Sequence, residues 1–241
     1  MRSWNKLKTI WNIIKKIFYT GLLFVLINII ILALFIFINP ASSAFQNSNN
    51  EDYLEKLISM KPYQQKWVSI SEISYNAPLA VIASEDQRFF DHWGIDVEQV
   101  EKALKENERR KRKRGASTIS MQVAKNMFLW NDKNLIRKGV EAYYTVLMET
   151  IWSKKRIIEV YLNIAEMGKD LYGIESAART YFKKSAIKLG AGEAALIASS
   201  LPNPKKRNAG RPSGYMQGRK GSITKQMNFI GGKEFIMKEL Y

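Results

Sequence analysis

The sequence predicts a mostly α-helical fold with one membrane-spanning helix near its N-terminus. From residue 76 onward apolar residues recur at helical spacing, as in Val97, Val100 and Leu104 after Asp96. Polar residues that can cap a helix precede several of these stretches, and the alternation typical of strands is scarce. We therefore expect about eight helices between residues 76 and 241.

Capping residues indicate where the individual helices begin. The residues expected to open helices are Asn76 (with Pro78 in the first turn), Asp96, Ser117, Asn134 and Ser153. The helix after Ser153 is expected to continue until Gly168, because glycine commonly ends helices. A short apolar helix from Glu193 to Ser200 should end before Pro202.

Residues 17–38 form an uncharged apolar run that is long enough to cross a membrane. As a helix it would span roughly 33 Å, which covers the hydrocarbon core. The residues before it include five basic and no acidic side chains: Arg2, Lys6, Lys8, Lys15 and Lys16. This asymmetry places the N-terminus in the cytoplasm and the chain after Asn39 outside. A signal peptide cleaved near residues 41–44 is the alternative, but the run exceeds the usual signal length, so we favour a retained anchor.

These features divide the chain into four segments. Residues 1–16 form a cytoplasmic basic segment, 17–39 the transmembrane helix, 40–75 a linker and membrane-proximal segment, and 76–241 the catalytic domain. The net charge is +16, and +11 remains when the five basic residues before the span are set aside. Outside the membrane this charge suits an anionic lipid or a lipid-linked phosphate better than nucleic acid. The six basic residues 109–114 are either a solvated loop or a contact for lipid headgroups.

The few potential metal ligands limit the chemistry further. Cysteine is absent and there is one histidine, which excludes disulfides and thiolate sites and argues against histidine-rich metal sites.

The first candidate motif is Glu85-Asp86-x-x-Phe89-x-x-His92-x-Gly94, after an apolar helix. A carboxylate at the end of an apolar helix is partly desolvated, which raises its pKa and makes it a usable base. Taken alone, the acidic pair is more often surface charge, and His92 alone is more often structural.

Two further blocks follow. Ser117 and Thr118 open a helix that carries Gln122, Lys125 and Asn126 on one face. Hydroxyl groups and free N–H groups at a helix start, with a lysine beyond, can bind an anion, although an ordinary capped amphipathic helix has the same pattern. The third block, Arg137-Lys138-x-x-Glu141, is by default a helical salt bridge.

Together the blocks resemble glycosyltransferase family 51, the peptidoglycan polymerases. The resemblance covers about Leu79 to Pro204 and includes the later motifs 155–163 and 177–182. The single-domain layout with one N-terminal anchor resembles the family's monofunctional members. The resemblance implies a lysozyme-like, mostly helical fold with a membrane-facing hydrophobic lobe.

The resemblance also implies roles for individual residues. Glu85 matches the catalytic base, Glu141 the second essential carboxylate, and Lys125 the lysine that meets the donor pyrophosphate. The positions that match substrate-binding residues are Ser117, Thr118, Gln122, Asn126, Arg137 and Lys133. Lys133 stands where the family usually has arginine, and Met121 replaces the first of two glutamines.

The implied reaction is polymerisation of lipid II into β-1,4-linked glycan with release of undecaprenyl pyrophosphate, in cell wall biogenesis at the cytoplasmic membrane. The sequence demands no cofactor and contains no metal motif, although the resemblance allows Mg²⁺ or Mn²⁺ at the donor pyrophosphate. The expected partners are lipid II, undecaprenyl-pyrophosphate-linked glycan, the membrane, and cell-wall synthesis or division proteins, without nucleic acid. The alternatives are a lysozyme-like enzyme that cleaves peptidoglycan and a non-enzymatic membrane-tethered scaffold.

Overall fold

The computed structural model describes residues 2–40, 66–109, 114–130, 132 and 134–241. Residues 41–65 of the predicted linker and membrane-proximal segment 40–75 lie outside these described residues, as do the basic residues 110–113 and Lys133. The chain divides into two compact units, Met1–Asn39 and Pro40–Tyr241. The described part is mostly α-helical, which confirms the predicted fold class.

The first unit is one continuous helix, α1 (Arg2–Phe37), so the basic segment before the apolar run is helical as well. From Lys8 to Phe37 this helix is long and apolar enough to cross a membrane, with a mean hydropathy of 2.8 in its most apolar window. Its large apolar side chains are largely exposed; Phe18, for example, is 65% exposed and Leu23 58%. This exposure is consistent with a helix whose apolar surface is covered by lipid.

The described part of the second unit contains nine α-helices and one two-stranded antiparallel sheet. The helices are α2 (Asn76–Glu85), α3 (Val97–Asn107), α4 (Ile119–Phe128), α5 (Leu135–Ile151), α6 (Lys154–Ile164), α7 (Ile174–Phe182), α8 (Ala191–Ser200), α9 (Gly214–Phe229) and α10 (Gly232–Leu240). The strands, between α6 and α7, are β1 (Glu166–Gly168) and β2 (Leu171–Tyr172). Short 3₁₀ turns lie at Ile70–Glu72 and Ala186–Lys188.

Three of the five predicted helix caps are confirmed. The side chains of Asp96, Asn134 and Ser153 each accept a backbone N–H three residues later, at the starts of α3, α5 and α6. Helix α4 is capped by Thr118 rather than by Ser117. Asn76 lies inside α2, where its amide nitrogen donates to the Leu189 carbonyl oxygen instead of capping the helix.

The predicted end of α6 at Gly168 is wrong. The helix ends at Ile164, and the chain turns back on itself as the β1–β2 hairpin, with Glu166 paired to Tyr172. The backbone N–H of Gly173 then donates to the Ala165 carbonyl oxygen and closes the turn. Helical periodicity could not show this because strands of two and three residues are too short to produce an alternating pattern.

Helix α2 runs through the core of the second unit. Its side chains from Ala77 to Ala83 are all buried, and it packs against α8, α9, α10 and α6. The side chains of α8 from Ala194 to Ser200 are likewise all buried. Helix α4 packs between α5 and α6. Helix α2 ends at Glu85, so this carboxylate lies where the chain leaves the apolar core. The next residue, Asp86, accepts the backbone N–H of Ile119, which places the end of α2 beside the start of α4.

Candidate active site

Glu85 is half-buried at the C-terminal end of α2, and both of its carboxylate oxygens accept hydrogen bonds. Gln122 Nε2 donates to Oε2 at 3.1 Å, and Ser84 Oγ donates to Oε1 at 3.4 Å. Burial raises the pKa of the Glu85 carboxyl above its ordinary value, while these two hydrogen bonds and the charge of Arg219 act in the opposite direction. A carboxylate with a raised pKa is suited to accept a proton near neutral pH.

The amide group of Gln122 is oriented from its far side by Tyr161. The hydroxyl of Tyr161, on α6, donates to Gln122 Oε1 at 3.3 Å, which turns the amide nitrogen toward Glu85. Burial raises the pKa of the Tyr161 hydroxyl well above its ordinary value, so this group remains a hydrogen-bond donor. Tyr161 belongs to a matched motif, but sequence reasoning gave it no role in the site.

A cavity of about 290 Å³ lies beside Glu85. It also reaches Ser117, so the carboxylate and the start of α4 open onto the same space. The residues that line it are Ser84, Glu85, Asp86, Gln87, Arg88, Asp96, Gln99, Lys102, Arg114, Gly115, Ala116, Ser117 and Thr118.

Ser117 connects this cavity with the third predicted block. Lys138 Nζ donates to Ser117 Oγ at 3.3 Å and also forms a close ion pair with Glu141 Oε1. The other oxygen of Glu141 binds Arg137 Nη1 at 2.6 Å. Glu141 is 2% exposed and Arg137 9%, so α5 holds a buried carboxylate between two cations next to the cavity. Sequence reasoning treated Lys138 only as an ion-pair partner and missed its contact with Ser117.

Comparison with known proteins shows the family of this chain. The transglycosylase family matches residues 50–228. A biosynthetic peptidoglycan transglycosylase of Salmonella typhi is 53% identical over 173 residues, which are 71% of this chain and 72% of that protein. One of Bacteroides thetaiotaomicron is 53% identical over 168 residues, 70% of this chain and 68% of that protein. This chain belongs to the transglycosylase family. The predicted family and enzyme class are thereby confirmed.

In this transglycosylase Asp86, the second acidic residue of the first motif, braces the start of α4 through hydrogen bonds. Asp86 Oδ1 lies 2.9 Å from His92 Nε2, and Oδ2 accepts the backbone N–H of Ile119 at 3.0 Å. The buried hydroxyl of Thr118 donates to the Gly94 carbonyl oxygen and accepts the N–H of Met121. These bonds fix the start of α4 against the end of α2, so Thr118 caps the helix and also lines the cavity.

Replacing Asp86 with alanine should destabilise the transglycosylase. The change removes a buried hydrogen bond to His92 and one to the start of α4, and hydrogen bonds to charged groups contribute about 1.5–3 kcal/mol each. We expect the free energy of unfolding to fall by at least about 2 kcal/mol, measured by denaturation of the detergent-solubilised chain. Asp91→Ala, at an exposed position in the same loop, is the control. Equal stability of the two variants would contradict the bracing role.

The remaining predicted residues divide between the site and the core. Lys125 and Asn126 are half-buried, one helical turn after Gln122 and on the same side of α4. Met121 is 5% exposed and packs in the core. The thioether therefore replaces the family's amide at a position without access to the cavity. Lys133 lies outside the described residues.

Among the described residues, the group that could hold a divalent cation offers few free ligand atoms. The one group that could hold a metal ion is Asp86, His92 and Asp96. Both oxygens of Asp86 are engaged, while Asp96 Oδ1 accepts the Gln99 N–H and lies 3.6 Å from Arg88 Nη1. Mg²⁺ prefers several free oxygen ligands, and this cluster offers few. We therefore derive no step of the reaction through a metal.

Proposed function

We propose that this transglycosylase polymerises lipid II into β-1,4-linked glycan strands and releases undecaprenyl pyrophosphate during cell wall biogenesis. The observation that carries the proposal is the cavity that Glu85 and Ser117 share. Burial raises the pKa of the Glu85 carboxyl group, and Ser117 accepts a hydrogen bond from the cationic Lys138. A base and clustered cations are the two elements that transfer from a sugar pyrophosphate needs. The names of the relatives supply the substrate class, peptidoglycan.

In the proposed step Glu85 removes the proton from the 4-hydroxyl group of the acceptor sugar. The resulting oxygen attacks the anomeric carbon of the donor, and the bond from that carbon to pyrophosphate oxygen breaks with its electron pair. The α link of the donor becomes a β-1,4 link, the proton stays on Glu85, and the pyrophosphate leaves. Because pyrophosphate is a good leaving group, it needs positive charge rather than a proton donor.

The cations have separate places in this proposal. Lys125, on the face of α4 that carries Gln122 and Asn126, meets the donor pyrophosphate, and Lys133 contributes a further positive charge. Lys138, which contacts Ser117 at the cavity, stabilises the departing charge together with Arg137, which lies beside it on α5. Glu141 holds these two cations in place rather than exchanging protons, since both of its oxygens are engaged in ion pairs.

A peptidoglycan-cleaving enzyme fits this site less well. Glycosidases generally use a second carboxyl group as acid, base or nucleophile. Of the other carboxylates in the matched motifs, Asp86 is engaged by His92 and Ile119, and Glu141 by two cations. The described site therefore offers Glu85 as its base without a free carboxyl partner from these motifs.

The deciding experiment incubates the purified full-length chain in detergent with labelled lipid II. We expect a ladder of polymer on a gel that a muramidase degrades. Release of fragments from finished glycan, without polymer from lipid II, would establish the cleaving enzyme instead. The absence of both products would refute the enzymatic proposal.

We also propose that α1 is a single-pass anchor in the cytoplasmic membrane, with the N-terminus in the cytoplasm and the second unit outside. The basis is the five basic residues before an apolar helix without acidic residues. A reporter enzyme that works only outside the membrane should be active when fused after Tyr241. The control fusion lacks residues 1–39 and should be inactive, because nothing then carries the reporter across. Activity of a cytoplasm-only reporter at Tyr241 would overturn this topology.

A further inference from the structure

Arg219, in the C-terminal part of the chain, is linked through Ser84 to the proposed base, Glu85. Arg219 lies on α9, which packs against α2. Its Nη2 donates to Ser84 Oγ at 3.2 Å, and the same hydroxyl donates to Glu85 Oε1 at 3.4 Å. The side chains of Arg219, Ser84 and Glu85 therefore form a hydrogen-bonded chain, here called the relay, from α9 to the carboxylate. No predicted motif includes Arg219.

The guanidinium of Arg219 is only partly hydrogen-bonded, which is unusual for a structural arginine. Its Nε is buried and has no hydrogen-bond partner in the part of the chain that the structure describes. A buried donor without a partner is costly, so such groups tend to persist where another property of the side chain is needed. At this position that property is a fixed positive charge behind Glu85.

The other groups that face Glu85 do not supply this charge. Gln122 on α4 is a neutral hydrogen-bond donor, and Tyr161 on α6 is a neutral hydroxyl behind it. Asp86, the next residue, carries negative charge and favours the protonated form of Glu85. Among the described groups that act on the pKa of Glu85, Arg219 is the cation, and it lowers that pKa against the effect of burial.

We propose that Arg219 is a positioning residue for Glu85, which acts through Ser84 to hold the carboxyl group in place and in its basic form. The inference rests on the proposed function, in which Glu85 is the general base. Burial makes the carboxylate basic enough to take a proton, and Arg219 keeps enough of it ionised to act at working pH. The C-terminal helix α9 thereby contributes to the proton transfer without contacting the substrate.

The test is the pH profile of kcat and KM for lipid II polymerisation. A general base must be deprotonated, so the rate rises with pH through the pKa of Glu85. In Arg219→Gln the pKa of Glu85 should rise further, which moves this acid limb to higher pH. Ser84→Ala should move the limb in the same direction, because it removes a hydrogen bond that favours the carboxylate. Arg219→Lys keeps the charge and should restore the limb toward the wild-type position.

The matched control is Lys225→Gln, which removes one positive charge from an exposed position on the same helix. Its acid limb should not move. The inference fails if Arg219→Gln keeps the wild-type limb, or if Lys225→Gln moves it equally far. If Arg219→Gln does not fold, Ser84→Ala and Arg219→Lys decide, and an unmoved limb in Ser84→Ala refutes the relay. Polymerisation by the wild type and its loss in Glu85→Gln test the proposed function separately, so the two failures are distinguishable.

Discussion

Replacing Glu85 with glutamine should lower the rate of lipid II polymerisation by about 10²–10⁴-fold, the usual cost of removing a positioned general base. Glutamine keeps the shape of the side chain and can still meet Gln122 and Ser84, but it cannot accept the acceptor's proton. Binding of a donor analogue should survive, because the cations at Lys138 and Arg137 are held by Glu141 and not by Glu85.

The same variant should be at least as stable as the wild type at neutral pH. Because the pKa of Glu85 is raised in the folded state, its carboxylate form costs folding free energy once the pH exceeds the ordinary glutamate pKa. A neutral glutamine removes that cost, so thermal unfolding should show an equal or higher midpoint. Wild-type polymerisation by Glu85→Gln would refute the mechanism, whereas loss of both activity and stability would show that Glu85 is structural.

Local signals explain which parts of the fold were predictable. Asp96, Asn134 and Ser153 cap helices within three residues of themselves, so their sequence neighbours are sufficient to predict them. The partial burial of Glu85 was predictable for a similar reason, since it ends the apolar run of α2. The β1–β2 hairpin was missed because each strand is too short for a pattern.

The other parts of the site could not be predicted because they depend on contacts between residues that are far apart in the sequence. Arg219 and Ser84 are 135 residues apart, and Tyr161 and Gln122 are 39 apart, so no spacing rule connects them. The matched pattern at the start of α4 likewise does not show which side chains face inward. Thr118 caps the helix and Met121 packs in the core, while Ser117 opens to the cavity. Side-chain direction at a helix start depends on the elements packed around it, which one sequence does not specify.

Glu141→Gln should weaken both folding and donor binding, unlike the change at Glu85. Arg137 is buried, and removing the only negative charge described beside it leaves its guanidinium without an ion-pair partner. Breaking a buried ion pair in this way costs about 3–5 kcal/mol of folding free energy. Lys138 is more exposed and adds little to stability, but it loses the anchor that keeps it beside Ser117.

Donor binding should fall because Lys138 no longer has a fixed position beside Ser117, which lines the cavity. If each charge-assisted contact contributes about 1.5–3 kcal/mol, loss of one weakens a donor analogue by roughly 10–100-fold. The control is Glu159→Gln on α6, which breaks a similar ion pair with the largely buried Arg156 away from the cavity. That variant should lose stability and keep donor affinity. If Glu141→Gln instead binds the analogue normally and loses all turnover, Glu141 takes part in the chemistry, and the roles of the two carboxylates must be exchanged or shared.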